Sequence, residues 1–498
     1  MTIHPYFQQM KLAMGGKAWD SISSLLIKYR LKQGGLTGSV EQLRSVLSGR
    51  YVERFRLGML SGAEGLDSIS PWSSDSNALH RREQDKSILM GASNCAYLHC
   101  LAYWYPERWS ANVVDKGIVH KNGCDYYLLH ITPDGGRLLE YWIDANTMLL
   151  HMTVEKSAVQ TVTRKYADYQ VIKGLLFAHN VCTSVGDTQY DRICELEYVV
   201  INPEIYDSAF EPPLPKQHSQ IFRDHTTSCQ FKFQLISNFI VVGVSINSDT
   251  TLPFILDTGG VNLITPEAAT VLGLKQEGLV FGFGAGSDSI NMQVTEVKTI
   301  QLGGIELKNQ VVYVYPLPEL ADAHRIETLG GILGYGLFRQ AVITIDYQRN
   351  LLTFTRPDTF HYEGEGAVVP FLFNSNIPEV RGSIDGIEGV FGVDTGNTVA
   401  LVLNAPFVSE NSLMAKYHPD DHTTGVGAGG ANSELAVAHA SLLQIGGAYV
   451  HDLAIALAQH SHGALSNPYL AGFIGTDVLK RFIVTFDYSR QQIIFQKP

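Results

Sequence analysis

The chain has 498 residues, of which 45% are hydrophobic and 17% charged, and its formal net charge is −12 with a pI near 5.8. The length predicts about three domains, and the composition is that of a globular protein with enough apolar residues for buried cores. The acidic balance argues against a nucleic acid partner, because the basic surface that such binding needs is missing. No apolar run approaches the ~18 residues of a membrane span.

The N-terminal sequence and the cysteines bear on the compartment. Residues 1–20 lack the basic-then-apolar layout of a secretory signal. Either a signal peptide has been removed, which favours a periplasmic or secreted protein, or the protein is cytoplasmic. All six cysteines precede residue 230, a distribution compatible with disulfides. Cys182 and Cys194 flank a turn-like segment and could pair across a hairpin; free buried thiols are the alternative.

Residues 1–215 are the first predicted domain. The sequence predicts a helix over residues 19–32, followed by strands such as 137–143 and 193–200, in which apolar and polar residues alternate. The Pro-rich segment 211–216 is typical of a linker. The N-terminal block is therefore expected to be an α+β domain.

Residues 216–360 and 361–498 are predicted to be two copies of one β-rich lobe. Segments 330–354 and 471–495 align at a constant offset of 141, and each half also carries a Gly-rich segment and a Gly-Gly turn. Approximate two-fold symmetry would place equivalent residues face to face. The identical pairs are Gly331/Gly472, Gly334/Gly475, Thr344/Thr485, Asp346/Asp487, Tyr347/Tyr488, Arg349/Arg490 and Phe354/Phe495.

The triplet Asp-Thr-Gly occurs once in each half, at residues 257–259 and 394–396, each time after a short apolar run. A single copy is explained by a β-turn in which Asp caps its own backbone. Two copies in a matched repeat indicate a chemistry that needs two facing carboxylates. Two carboxyl groups about 3 Å apart cannot both ionise, so the ionised one can activate a water while the protonated one polarises a carbonyl. Asp257 and Asp394 are therefore the candidate catalytic residues, titrating as a pair.

Each half resembles a lobe of the retropepsin/pepsin-like aspartic proteases. It has two hydrophobic residues before Asp-Thr-Gly, a Gly-rich flap, a hydrophobic-hydrophobic-Gly sequence and a closing Asp-Tyr strand pair. Together the halves resemble a bacterial single-chain member with fused lobes. The resemblance implies a mainly β fold, in which a two-lobed β-barrel pseudo-dimer follows an α+β curved-sheet (half-barrel) domain. It also implies a monomeric aspartic endopeptidase that acts on a peptide or protein substrate without a cofactor or metal.

The resemblance assigns supporting roles to residues around the two acids. Threonine hydroxyls would bond across the lobe interface, and glycines would let the backbone approach the acids; the supporting residues are Thr258, Gly259, Thr395, Gly396 and Asn397. The flaps would cover an extended peptide, and their residues are Gly282, Phe283, Gly284, Gly427, Ala428 and Gly429. Two positions depart from the family pattern, since Gly260 cannot supply a hydroxyl to its Asp, whereas Asn397 could supply an amide.

The N-terminal block resembles the curved sheet of lipoprotein-carrier-like half-barrels over residues 141–148, 166–170 and 174–177. This resemblance adds a lipid or acyl ligand as a candidate partner, and core packing of the aromatic strands is the alternative. The His- and Asp-containing loop 418–422 lacks a defined third ligand, so no metal site is predicted. The rival function is a non-catalytic cell-envelope protein that binds peptides or lipids on a degenerate protease fold.

Overall fold

The computed structural model describes residues 3–157, 160–213, 221–247, 250–283, 289–318, 320, 326, 328–419, 421–427, 430–459 and 463–498. The chain divides into two compact units, unit 1 (Met1–Pro215) and unit 2 (Lys216–Pro498). Strands dominate both units, which confirms the predicted mainly β fold class. Within the described ranges, no helix is both long and apolar enough to cross a membrane.

Unit 1 is built on one antiparallel sheet of thirteen described strands, in the order β6-β5-β4-β3-β2-β1-β13-β12-β11-β10-β9-β8-β7. Its helices are α1 (Pro5–Ala13) and α2 (Lys86–His99), with 3-10 turns at Gly16–Ser21, Thr188–Tyr190 and Asp207–Phe210. Its strands are β1 (Ser24–Gln33), β2 (Leu36–Ser45), β3 (Tyr51–Leu57), β4 (Leu60–Leu66), β5 (Pro71–Ser74), β6 (His80–Arg82), β7 (Ala111–Lys121), β8 (Cys124–Pro133), β9 (Leu139–Asp144), β10 (Leu150–Lys156), β11 (Thr161–Ile172), β12 (Leu175–Ser184) and β13 (Arg192–Ile201).

The helix predicted over residues 19–32 is wrong, because most of this segment is strand β1. Alternate residues Leu25, Ile27, Tyr29 and Leu31 are buried in the core of unit 1, which is the two-residue period of a strand. The strand pairs with β2 on one side and β13 on the other, so it lies in the middle of the sheet.

The hypothesis that Cys182 and Cys194 pair across a hairpin is also wrong. Cys182 lies opposite Ile193, and Cys194 lies opposite Val181, on the neighbouring strands β12 and β13. Side chains alternate between the faces of a sheet, so the two thiols point to opposite sides and could not be bridged without backbone movement. All six cysteines are free thiols.

Unit 2 contains short helices and many strands. The helices are α3 (Pro266–Val271), α4 (Tyr335–Phe338), α5 (Ala405–Glu410), α6 (Leu413–Tyr417) and α7 (Thr476–Leu479), with 3-10 turns at Arg223–His225 and Gly463–Ser466. The strands are β14 (Ser228–Lys232), β15 (Gln234–Ile236), β16 (Phe239–Ile246), β17 (Thr250–Leu256), β18 (Leu263–Ile264), β19 (Glu277–Phe283), β20 (Ser289–Leu302), β21 (Ile305–Val314), β22 (Gly331–Leu333), β23 (Val342–Asp346), β24 (Leu351–Thr355), β25 (Ala367–Pro370), β26 (Leu372–Asn374), β27 (Ile377–Ile384), β28 (Ile387–Val393), β29 (Leu401–Leu403), β30 (Asp421–Gly427), β31 (Gly430–Ile445), β32 (Ala448–Ala458), β33 (Gly472–Ile474), β34 (Ile483–Asp487) and β35 (Gln492–Gln496).

Two eight-stranded sheets of unit 2 have the same strand order. The first runs β15-β16-β17-β22-β18-β21-β20-β19, and the second runs β26-β27-β28-β33-β29-β32-β31-β30. A six-stranded sheet, β14-β24-β23-β34-β35-β25, combines strands from both halves. At its centre Thr344 pairs with Thr485, and their hydroxyl oxygens are 2.8 Å apart. Two threonines that are 141 residues apart in the chain therefore face each other at the centre of the shared sheet.

Candidate active site

The two Asp-Thr-Gly segments occupy equivalent places at the ends of buried strands. Strand β17 pairs in parallel with β22, and the N–H of Asp257, the next residue after β17, donates to Leu333 O at 2.9 Å. Strand β28 pairs in parallel with β33, and the N–H of Asp394 donates to Ile474 O, also at 2.9 Å. The apolar runs before the acids thus anchor each acid at the edge of a core.

The glycines after β22 and β33 allow the chain to pass close to these segments. A Cβ on Gly334 would lie 2.2 Å from Gly260 O, and one on Gly475 would lie 2.2 Å from Val399 O. The buried Asn262 adds a contact that the sequence interpretation missed, because its Oδ1 accepts from Gly334 N–H at 2.9 Å. Its only signal in the sequence is a polar residue inside an apolar stretch.

Two threonines connect the Asp-Thr-Gly segments directly. Thr258 Oγ1 accepts from Thr395 N–H at 2.9 Å and donates to Val393 O at 2.8 Å. Thr395 Oγ1 accepts from Thr258 N–H at 3.0 Å and donates to Leu256 O at 2.9 Å. Both threonines are fully buried. The four hydrogen bonds hold the two segments against each other.

The glycines of the two segments face the carboxyl group of the opposite segment. A Cβ on Gly259 would lie 2.6 Å from Asp394 Oδ1, and a Cβ on Gly396 would lie 2.6 Å from Asp257 Oδ1. Each glycine also donates its N–H to the acid of its own segment, at 2.7 Å for Gly259 and 2.8 Å for Gly396. The absence of a side chain at both positions therefore lets the two acids come together.

The two carboxyl groups are hydrogen-bonded to each other, and their environments differ. Burial raises the pKa of Asp394 well above its ordinary range, and the charge of Asp257 and the bond to it raise it further. Burial also raises the pKa of Asp257, but the hydrogen bond with Asp394 and the N–H groups of Gly259, Gly396 and Gly260 oppose this rise. Burial therefore favours a state in which the two acids share one proton, with one acid protonated and the other ionised.

The two positions that depart from the family pattern differ in what they contact. The Asn397 carboxamide donates to Phe473 O at 3.0 Å and accepts from Val399 N–H at 3.2 Å. The sequence suggested that the Asn397 side chain could donate to Asp394. In the structure the backbone N–H of Asn397 donates to Asp394 instead. A Cβ on Gly260 would lie 2.8 Å from Asp257 Oδ2, so this glycine also permits close approach.

The described residues of the two Gly-rich segments lie at the ends of two pairs of antiparallel strands. Strands β19 and β20 pair up to Phe283 and Ser289, and strands β30 and β31 pair up to Gly427 and Gly430. Gly282 lies within β19. The other predicted flap residues, Gly284, Ala428 and Gly429, lie outside the described residues.

The second repeated acid has a structural environment. Asp346 accepts from Arg349 N–H at 2.9 Å, and Asp487 accepts from Arg490 N–H at 3.1 Å and pairs with its guanidinium at 2.8 Å. Each acid therefore stabilises the turn that follows its strand. Among the described residues, no group of three or more His, Cys, Asp or Glu side chains could hold a metal ion.

Comparison with known proteins gives a match to a family model described as aspartyl protease, over residues 242–337. The matched range contains the first Asp-Thr-Gly and the β19–β20 hairpin, and ends before the second lobe. No match to a curated protein sequence was found. This part of the chain is thus similar to aspartyl proteases.

Solved structures give weaker likenesses. An aspartic proteinase from Irpex lacteus is 15% identical, with 54% of this chain and 97% of that chain covered and a TM-score of 0.35. A DUF1329 family protein from Desulfovibrio piger is 13% identical, with 41% and 94% covered and a TM-score of 0.29. A candidate outer membrane lipoprotein-sorting protein domain from Vibrio parahaemolyticus is 12% identical, with 41% and 94% covered and a TM-score of 0.28. TM-scores this low carry no functional argument.

Proposed function

We propose that unit 2 is a two-lobed aspartic endopeptidase whose catalytic residues are Asp257 and Asp394. The observation that carries the proposal is the close approach of the two carboxyl groups, each packed against the glycine of the opposite Asp-Thr-Gly. A hydrogen-bonded pair of half-buried acids that share one proton can serve as acid and base in one step. The match of residues 242–337 to aspartyl proteases supports the same assignment.

In the proposed reaction, the ionised Asp257 takes a proton from a water molecule that attacks the peptide carbonyl carbon. Asp394 donates its proton toward the carbonyl oxygen, so the tetrahedral intermediate forms without a bond to the protein. Collapse of the intermediate breaks the C–N bond: the amine leaves with the proton of Asp257, and a hydroxyl of the intermediate returns its proton to Asp394, which restores the pair. The threonine hydrogen bonds hold the geometry, and the β19–β20 and β30–β31 hairpins would cover an extended peptide.

The test is a peptidase assay of the full chain from pH 3 to pH 8, with and without a statine-containing inhibitor. Asp257→Asn and Asp394→Asn should each abolish cleavage while the circular dichroism spectrum is unchanged. Asp452→Asn is the matched control. Asp452 is exposed and adopts a positive φ of 49° that asparagine accepts, so cleavage should stay at the wild-type level.

Unchanged cleavage in either dyad variant would exclude the proposed catalytic pair. No cleavage by the wild-type chain at any pH, together with no inhibitor binding, would favour the rival function of a non-catalytic peptide- or lipid-binding protein. Inhibitor binding that is lost in both dyad variants would link the inhibitor to these acids.

A further inference from the structure

The sheet of unit 1 curves so strongly that residues from distant strands meet over its concave face. Arg192 on β13 contacts Glu53 on β3 at 2.5 Å, although β1 and β2 lie between these strands in the sheet. Helix α2 lies on the same face, because the Tyr51 ring on β3 packs edge-on to the His99 ring at a centroid distance of 4.7 Å. The concave face is therefore enclosed by both arms of the sheet and by α2.

Polar side chains line this enclosed face in two rows. In one row, Thr153, Arg164, Thr183 and Arg192 are successive cross-strand partners on β10, β11, β12 and β13. In the other row, Gln42, Glu53 and Glu64 are successive partners on β2, β3 and β4. Cross-strand partners share a face, so each row projects to one side of the sheet. The Arg192–Glu53 contact joins the two rows across the concave face.

We term the space between the two rows, which is bounded by Arg164 and Arg192 on one side and by Glu53 and Glu64 on the other, the recess. The Glu64 side chain is exposed to solvent, yet desolvation by surrounding protein raises its pKa to about 7, with the charge of Glu53 as the next cause. Arg164, with 28% of its side chain exposed, lies in the opposite row.

Of the arginines around the recess, Arg137, Arg164 and Arg192 each contact a glutamate. Glu53 is paired with Arg192, and Glu155 contacts both Arg137 at 3.2 Å and Arg164 at 3.7 Å. Arg44 donates to the neutral amide oxygen of Gln42, and among the described residues its buried Nε has no hydrogen-bond partner. Desolvation, followed by the charges of Arg44 and Arg164, lowers the pKa of His99 well below its ordinary value. Both guanidinium groups therefore lie near the same part of α2.

We propose that this recess binds a small oxyanion, a carboxylate or phosphate group, through Arg44 and Arg164. A partly desolvated guanidinium with unused donors is complementary to either group, which accepts two parallel N–H hydrogen bonds. The site lies within unit 1 and does not depend on the peptidase proposal for unit 2. An uncharged acyl chain would leave these donors unpaired, which costs free energy in a desolvated site.

Isothermal titration calorimetry of the full chain tests the proposal, with inorganic phosphate and citrate as separate probes at constant ionic strength. Arg44→Gln should weaken binding by about tenfold or more, because it removes charge-assisted hydrogen bonds. Arg56→Gln is the matched control, since Arg56 is exposed and lies on the opposite face of β3 from Glu53. Arg164→Gln is the second variant, used if Arg44→Gln loses the native circular dichroism spectrum.

Binding of phosphate alone would identify a phosphate ligand, and binding of citrate alone would identify a carboxylate ligand. Either result supports the site when Arg44→Gln or Arg164→Gln weakens the binding and Arg56→Gln does not. Absence of heat with both probes at millimolar concentrations would overturn the proposal. Equal affinities in the folded Arg44→Gln, Arg164→Gln and Arg56→Gln variants would also overturn it.

Discussion

Replacement of Thr258 by valine tests how the two Asp-Thr-Gly segments are held together. Valine keeps the shape of threonine but removes the hydroxyl, so Thr395 N–H loses its acceptor and Val393 O loses its donor. Thr258 is fully buried, and water cannot replace either partner without a structural change. Each buried group left without a hydrogen bond costs roughly 1–3 kcal/mol, so Thr258→Val should lower the free energy of unfolding by roughly 2–6 kcal/mol.

Thr258→Ser is the matched control for this substitution. Serine keeps the hydroxyl and loses one buried methyl group, which costs about 1 kcal/mol. If hydrogen bonding dominates, the valine variant is the less stable of the two, although it is the more hydrophobic. If packing dominates, the order is reversed.

The assay is denaturant unfolding of the full chain, followed by circular dichroism and by tryptophan fluorescence. All five tryptophans lie before residue 143, so their fluorescence reports on unit 1 and should be the same in both variants. The circular dichroism transition of unit 2 should move to lower denaturant in the valine variant. A valine variant as stable as the serine variant would refute the assigned role of the hydroxyl.

Three further predictions concern the pair of acids and the thiols. Gly396→Ala places a Cβ 2.6 Å from the carboxylate of Asp257 and should reduce kcat/KM by about 100-fold; Gly447→Ala, where the nearest atom is at 3.4 Å, should leave it unchanged, and equal values would count against the packing argument. Because burial holds the pKa of Asp394 above the ordinary value of about 3.9, the folded chain binds this proton more tightly than the unfolded chain. The free energy of unfolding should therefore fall as the pH rises from about 4 through the raised pKa, and Asp394→Asn should flatten this dependence; the same pH slope in both proteins would contradict the assignment. Peptide mapping under oxidising, non-reducing conditions should find no link between the cysteines of β12 and β13, and a link there would contradict their opposite orientation.

The equivalent positions of Asp257 and Asp394 could be predicted from the sequence because the local signal was repeated. Each acid follows an apolar strand, and each strand has a parallel partner ending before glycine. The cross-segment bonds of Thr258 and Thr395 also follow from facing two copies of one motif. The sequence was therefore sufficient to predict features that depend on a local motif and on its repetition in the second half of unit 2.

Other features depend on packing that no local pattern reveals. The apolar positions in residues 19–32 fit the period of a helix as well as that of a strand. The segment forms a strand because β1 pairs with both β2 and β13. The carboxamide of Asn397 is directed by the carbonyl of Phe473, a contact 76 residues away in the chain. The recess in unit 1 requires the curvature that brings Arg192 to Glu53, and the sequence alone gives no measure of that curvature.

Mass spectrometry of a defined peptide library, incubated with the wild-type chain or with Asp394→Asn, tests the central claim most directly. Internal cleavage at acidic pH should generate new N- and C-termini with the wild-type chain and none with the variant. The same new termini in both samples would show that hydrolysis does not need the pair of acids, and would contradict the account.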